Sequence, residues 1–211
     1  MIHFILQLLA GTAMVLGTLG ALRQANLKRL LASGMVVHAG YVLGGASLSA
    51  GGTATAGWQI PVFYLLAAVL MHAGVFTASF VVCKASGREG LSALAGLYYR
   101  APLAAAALLI LIVSLCGLPL SAGWIGKWML LTGAAQSGDY TLVVMMLIST
   151  FLAYFYYFGL IRHMFMRTFD GREEIRINIM PHSAIWICAL MTLAGGIFPS
   201  PVINLLERLF P

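Results

Sequence analysis

Gly117-Leu118-Pro119-Leu120-Ser121-Ala122-Gly123-Trp124-Ile125-Gly126-Lys127 interrupts an otherwise unbroken apolar run, and between Arg100 and Asp139 the only charged residue is Lys127. A lysine at bilayer depth costs roughly 2.5–3.5 kcal/mol even on lenient insertion scales, so one retained there points to a purpose. The glycines and Pro119 break the helix beside it, and backbone freed in this way is tolerated only against protein or a water-lined cavity. The stretch 101–136 is too long for one straight crossing and too short for two crossings with a normal loop. It is expected to form a discontinuous helix, broken over Gly117–Gly126.

Working outward, the 211 residues are 61% hydrophobic and only 9% charged, where a soluble domain carries about a quarter charged residues. The chain reads as an all-α integral membrane protein and a single membrane domain over 1–211. Apolar stretches near 2–22, 30–48, 60–83, 101–136, 140–161 and 183–206 give about six transmembrane helices, each long enough for a hydrocarbon core that needs about 20 helical residues. The basic residues mark topology. Arg23, Lys28 and Arg29 occupy the first connection, Lys84, Arg88 and Arg100 the third, and Arg162, Arg167, Arg172 and Arg176 the fifth. The second connection, Ser47 to Gln59, has no charge, the fourth has only Asp139, and Arg208 lies beside Glu207 at the C-terminus. The positive-inside rule then places the odd connections in the cytoplasm and both chain ends on the outer side. No basic region precedes the first span, which reads as a mature helix and not a cleaved signal.

Small-residue faces such as Gly11, Thr12, Gly17, Thr18 and Gly20 predict close helix packing. Trp58, and Trp124 or Trp128, suit interfacial anchoring, although the latter two could line the helix break. Cys83, Cys116 and Cys188 have no metal-type spacing and read as small core residues, and residues 162–182 read as a solvated cytoplasmic loop. No soluble domain is present, hence no site for a nucleotide, for hydride chemistry or for nucleic acid.

Three groups that can gain or lose a proton share the apolar spans: His38, His72 and Lys127. Such residues facing a bundle interior recur along proton and ion pathways. A lone membrane histidine bonded to a backbone carbonyl is the structural alternative for His38 and His72. No Asp or Glu lies within a span, so Lys127 is expected to be satisfied by water or a partner. Lys28 and Arg29 read as orientation charges, and Tyr64, Tyr154, Tyr156 and Tyr157 as core or interfacial aromatics. Ser121 and Thr132 are hydroxyls that could support water near Lys127.

Four segments in order carry a resemblance. They are Asn26-Leu27-Lys28-Arg29-Leu30-Leu31-Ala32, then His38-Ala39-Gly40-Tyr41, then Phe63-Tyr64-Leu65-Leu66-Ala67, and last the Gly117–Lys127 stretch. Together they resemble the antiporter-like membrane subunits of respiratory complex I, nearest the subunit N group of bacterial NADH-quinone oxidoreductases. The resemblance covers essentially the whole chain. It implies the second of two inverted five-helix repeats plus the final helix of the antiporter-like fold, with the first repeat, and its glutamate and lysine, lying before residue 1. It implies that Lys127 is the channel lysine of the second broken helix and that His38 and His72 belong to the same proton relay. Ser33-Gly34-Met35-Val36-Val37 replaces the family's Tyr-Ser-Ser start, and His72 stands where relatives carry lysine or asparagine. Ala68 replaces an expected tyrosine, and Leu120 a common second proline.

The resemblance implies a proton-translocating subunit of NADH:quinone oxidoreductase in a bacterial inner (plasma) membrane, coupling quinone reduction to proton transfer. It would be part of a translocase, with no redox chemistry in this chain. NADH, FMN, iron–sulfur centres and quinone would belong to the wider complex, and the partners would be its other membrane subunits, the missing N-terminal half and the lipid bilayer. The alternatives are a subunit of a multi-subunit cation/proton antiporter and a non-conducting structural fragment.

Overall fold

The computed structural model describes residues 2–51, 57–87, 90–166 and 178–209. All regular structure among them is helical: α1 (Ile2–Leu22), α2 (Leu27–Ala50), α3 (Gln59–Ser86), a 3-10 turn (Gly90–Leu94), α4 (Leu97–Arg100), α5 (Pro102–Cys116), α6 (Ala122–Gln136), α7 (Tyr140–Met166), α8 (Ile179–Ile197) and α9 (Ser200–Leu209). Helices α1, α2, α3, α7 and α8 are each long and apolar enough to cross a membrane, and α5 with α6 forms the interrupted element.

Short connections fold the chain back and forth, so alternate helix ends meet. The start of α1 is tied to the end of α2 by His3 Nδ1 and the Ser47 carbonyl, 2.7 Å apart, and to the start of α7 by Gln7 donating to Asp139 at 2.7 Å. At the other end, the Gly96 N–H donates to the His163 carbonyl on α7. Arg23, Lys28, Arg29, Lys84, Arg100 and Arg162 all belong to this second end, which is here called the basic end. Asn26 caps α2 there, its side chain accepting from the Lys28 N–H at 3.0 Å and satisfying one of the donors that a helix start leaves open.

Small residues let α1 and α2 touch. A Cβ on Gly17 would meet Val37 and the Ser33 carbonyl, and one on Gly40 would meet Met14 and the Ala10 carbonyl. In lipid, where burial drives helices together only weakly, such backbone approach supplies the van der Waals contact. Large side chains on α1 and α7, among them Phe4, Leu8, Leu16, Ile148, Phe151 and Phe155, remain exposed. In a bilayer those faces meet lipid or another membrane chain.

Three expectations change. The stretch 183–206 is not one span: α8 ends at Ile197, and Pro199 and Pro201 flank a new start, α9. Proline lacks the N–H and fixes φ, which suits a first helical turn and not an interior. The helix interruption is also shorter than Gly117–Gly126, because α6 is already helical from Ala122. Helices α2, α3 and α7 each extend beyond the apolar stretches at the basic end, placing Arg162 on α7. Arg88, Arg167, Arg172 and Arg176, and most of the 162–182 connection, lie outside the described residues.

Candidate functional site

The break between α5 and α6 builds the site. Gly117 ends α5 with φ 78°, a left-handed conformation that a residue with a Cβ reaches only at a cost. Its N–H donates to the Ser114 carbonyl at 2.9 Å, and the Leu118 N–H donates to the Val113 carbonyl at 3.1 Å. This pair of bonds is the Schellman closure, and it satisfies two of the carbonyls left open at a helix end. The next two carbonyls belong to Lys127. Its Nζ donates to Leu115 O at 2.9 Å and to Cys116 O at 3.2 Å.

The remainder of the turn is equally specified. Ser121 caps α6 by accepting from the Trp124 N–H, and its hydroxyl donates to the Leu118 carbonyl at 2.7 Å. The Gly123 N–H donates to Ser114 Oγ at 3.2 Å, and that hydroxyl in turn donates to Met71 Sδ at 2.8 Å. A Cβ on Gly123 would collide with the Ser114 carbonyl, so only glycine lets α6 start this close to α5. Helix α8 crosses the break at Gly196, which lies against Ser121 and Leu120.

Lys127 is therefore buried, at 8% exposure, with an acceptor set of neutral carbonyls at the negative end of α5. The expectation that water or a partner satisfies it is corrected: the broken helix itself supplies both acceptors. Its ammonium also lies 5.4 Å from the centroid of the Tyr41 ring, within cation–π range. A cleft of about 180 Å³ adjoins it, lined by Trp124, Trp128, Met146, Thr150 and Tyr154 among others. Trp124 and Trp128 stack at 5.9 Å along this cleft, so they line the break.

The three residues singled out from the sequence converge. His38 and His72, on α2 and α3, meet edge to face with ring centroids 4.9 Å apart, at 3% and 4% exposure. His38 Nδ1 is 2.8 Å from the Tyr64 hydroxyl, and His72 Nδ1 is 2.8 Å from the Ala68 carbonyl, to which it donates. His72 Nε2 has no protein partner among the described residues. Tyr41 links the histidines to the lysine. Its ring lies 6.1 Å from His38 and 5.8 Å from Tyr64, and its hydroxyl bonds Ser149 and Thr150, each at 2.7 Å, and the Met146 carbonyl.

Tyr64, an interfacial or core aromatic by sequence, bonds His38 directly. Ser149 and Thr150 carry no signal in the sequence, and Tyr41 stands out only within the His38-Ala39-Gly40-Tyr41 segment of the resemblance. Spacing could have suggested Tyr41, three residues beyond His38 and so on the same face of α2. Ser121 and Thr132 do not serve Lys127: Ser121 caps α6, and Thr132 donates back to Trp128 and Met129 carbonyls within its own helix. Cys83, Cys116 and Cys188 are not in disulfides, Cys116 being buried and the others half-buried, and Cys116 contributes its backbone carbonyl to Lys127.

This arrangement can hold a cation on neutral dipoles and can pass protons among closely packed imidazole, phenol and hydroxyl groups. Residues 1–153 match the transmembrane family described as NADH:quinone oxidoreductase/Mrp antiporter. A relative from Paenibacillus sp. (strain JDR-2), NADH-quinone oxidoreductase subunit N, is 44% identical over 99% of this chain, and the match covers 40% of that protein. The chain thus spans about two-fifths of the length of the curated relatives it matches. Among solved structures, respiratory complex I from Thermus thermophilus with bound aureothin contains a chain 31% identical, with TM-score 0.78 over 95% of this chain and 44% of that one. A chain of the Mrp complex from Dietzia sp. DQ12-45-1b shares the fold, with TM-score 0.86 at 22% identity over 97% of this chain and 46% of that one. The chain belongs to the NADH:quinone oxidoreductase/Mrp antiporter transmembrane family.

Proposed function

We propose that this chain supplies part of a proton-translocating subunit of an NADH:quinone oxidoreductase in a bacterial plasma membrane, with Lys127, His38 and His72 as its relay. Other subunits of that complex would hold NADH, FMN, the iron–sulfur centres and quinone. The observation that carries the reading is the seat of Lys127 on the Leu115 and Cys116 carbonyls, beside Tyr41 and the His38–His72 pair. Carbonyl dipoles hold an ammonium without a counter-charge, so a proton can leave Lys127 without stranding a buried carboxylate. A unit charge appearing about 10 Å away shifts the protonation equilibrium of such a group by about 1.7 kcal/mol at an effective dielectric of 20, more than tenfold. Charge movement of that kind in a neighbouring subunit would bias release, and the imidazoles with Tyr64 and Tyr41 would reload the lysine.

The test is Lys127→Ala in the complete, assembled complex in sealed membranes. The number of protons translocated per electron is expected to fall with assembly intact. An unchanged ratio in an assembled complex removes the relay assignment and leaves a structural role. The fold shared with the Mrp complex chain favours one second reading, a subunit of a cation/proton antiporter. Sodium- or potassium-dependent pH change in vesicles, insensitive to NADH and quinone analogues, would select it.

A further inference from the structure

Threonines on the membrane helices of this chain commonly satisfy themselves. Thr12, Thr77, Thr132 and Thr192 each donate to a carbonyl three or four residues back in their own helix. Thr18 on α1 does not. It is buried, at 2% exposure, and its hydroxyl has no hydrogen-bond partner among the described residues. Thr18 stands on the wall of a cleft of about 170 Å³ between α1 and α7, with Val15 and Leu19 on the α1 side and Met145, Ile148 and Leu152 on the α7 side. Buried hydroxyls in native proteins are nearly always paired, so the site calls for an acceptor that the described residues do not supply.

The cleft opens on the outside of the bundle, where Val15, Leu19, Ile148 and Phe155 are all exposed in large part. It leads toward the basic end. On α7 the line of Met145, Ile148 and Leu152 continues, at spacings of three and four residues, through Phe155 and Gly159 to Arg162. A Cβ on Gly159 would meet nothing, so the groove stays open there. Arg162 is exposed and lies ten residues, about 15 Å, beyond Leu152. Arg23, also exposed, follows Leu19 by four residues, about 6 Å, at the end of α1. Lys28 and Arg29 add positive charge at this end, whereas of the two described acids Asp139 lies at the opposite end and Glu207 on α9. Apolar groove, open hydroxyl and unopposed guanidinium groups thus follow one another in the order in which a phospholipid presents its acyl chain, ester carbonyl and phosphate.

We infer that the α1–α7 cleft seats one anionic phospholipid from the leaflet at the basic end. An acyl chain lies between Val15, Ile148 and Leu152, an ester carbonyl accepts from Thr18 Oγ1, and the phosphate sits between Arg23 and Arg162. Arginine's long stem packs along apolar surface while its head reaches the interface, and basic residues beside a membrane helix attract anionic headgroups. This seat is separate from the proton relay and stands or falls without it.

The test uses the protein purified with its partner chains from its own membranes and exchanged into vesicles of phosphatidylglycerol or of phosphatidylcholine with the same acyl chains. Lipid retained per copy after detergent extraction is counted by native mass spectrometry. Two variants are compared with wild type. Arg23→Gln combined with Arg162→Gln removes the charges, and Gly159→Leu blocks the groove at a position where the protein leaves space for a side chain, without touching the charges. One phosphatidylglycerol retained per wild-type copy in preference to phosphatidylcholine, and lost from both variants, is the expected result. Equal retention of the two lipids by wild type overturns the anionic seat. Phosphatidylglycerol retained unchanged in both variants places the lipid elsewhere and overturns it too. A map of the complex with a helix of another chain filling the cleft has the same consequence.

Discussion

At Lys127 the cost of a buried cation is met by the helix it interrupts. A Schellman closure uses the Val113 and Ser114 carbonyls, and the ammonium takes Leu115 and Cys116. Tyr64 holds His38 by one hydrogen bond of 2.8 Å, and Tyr64→Phe removes only that hydroxyl. Such a bond contributes about 0.5–1.5 kcal/mol net, so the variant is expected to assemble normally and to slow proton transfer several-fold. Translocation rate against quinone reduction in sealed vesicles measures it; an unaltered rate would show that His38 needs no orienting partner. Lys127, His38 and His72 were legible in the sequence because ionisable groups are rare in apolar spans. Tyr41 and Tyr64 were not, because tyrosine is ordinary in such spans and its role here is set by which helix it faces.

The α5–α6 break is two half-helices held by reciprocal caps. Leu120 adopts φ 72° within it, a left-handed conformation costly for a residue with a Cβ, while its side chain is largely exposed. Leu120→Gly is therefore expected to raise thermal stability by up to about 1 kcal/mol, read as a higher melting temperature of the solubilised protein. Gly123→Ala should do the opposite. Its methyl has no space against the Ser114 carbonyl and Met71, and overpacking of this kind costs roughly 1–3 kcal/mol. A Gly123→Ala protein as stable as wild type would mean that α6 can move away from α5 without penalty. The sequence marked the interruption through its glycines and Pro119. It did not show where α6 resumes, because Ser121 becomes a cap only once Trp124 and Leu118 are in place.

Across the whole bundle, the Asp139 carboxylate ties the start of α7 to α1. It accepts from the Leu142 N–H at the start of α7 and from Gln7 on α1. Asp139→Ala removes a helix cap and a tertiary bond together, and a loss of about 0.5–2 kcal/mol is expected from the cap alone. Denaturation of the detergent-solubilised protein should show it, with Gln7→Ala giving a smaller part of the same loss. The exposed apolar faces of α1 and α7 bound the bundle on one side, where lipid or a neighbouring membrane chain completes the surface.

The sequence by itself determined that the chain is a membrane helix bundle, that one helix is broken and that the break carries a lysine. Hydropathy over about 20 residues, and the cost of a charge and of proline within it, are local properties. The family resemblance was legible in the same way, as ordered segments around His38, Tyr64 and Gly117. Only the tertiary structure decided that Lys127 is satisfied by the carbonyls of α5 and that His38, His72, Tyr64 and Tyr41 meet beside it. Those facts depend on the rotation and depth of each helix against its neighbours. In lipid these are set by close contacts such as Gly40 on Met14 and Gly123 on Ser114, which no spacing along one helix encodes.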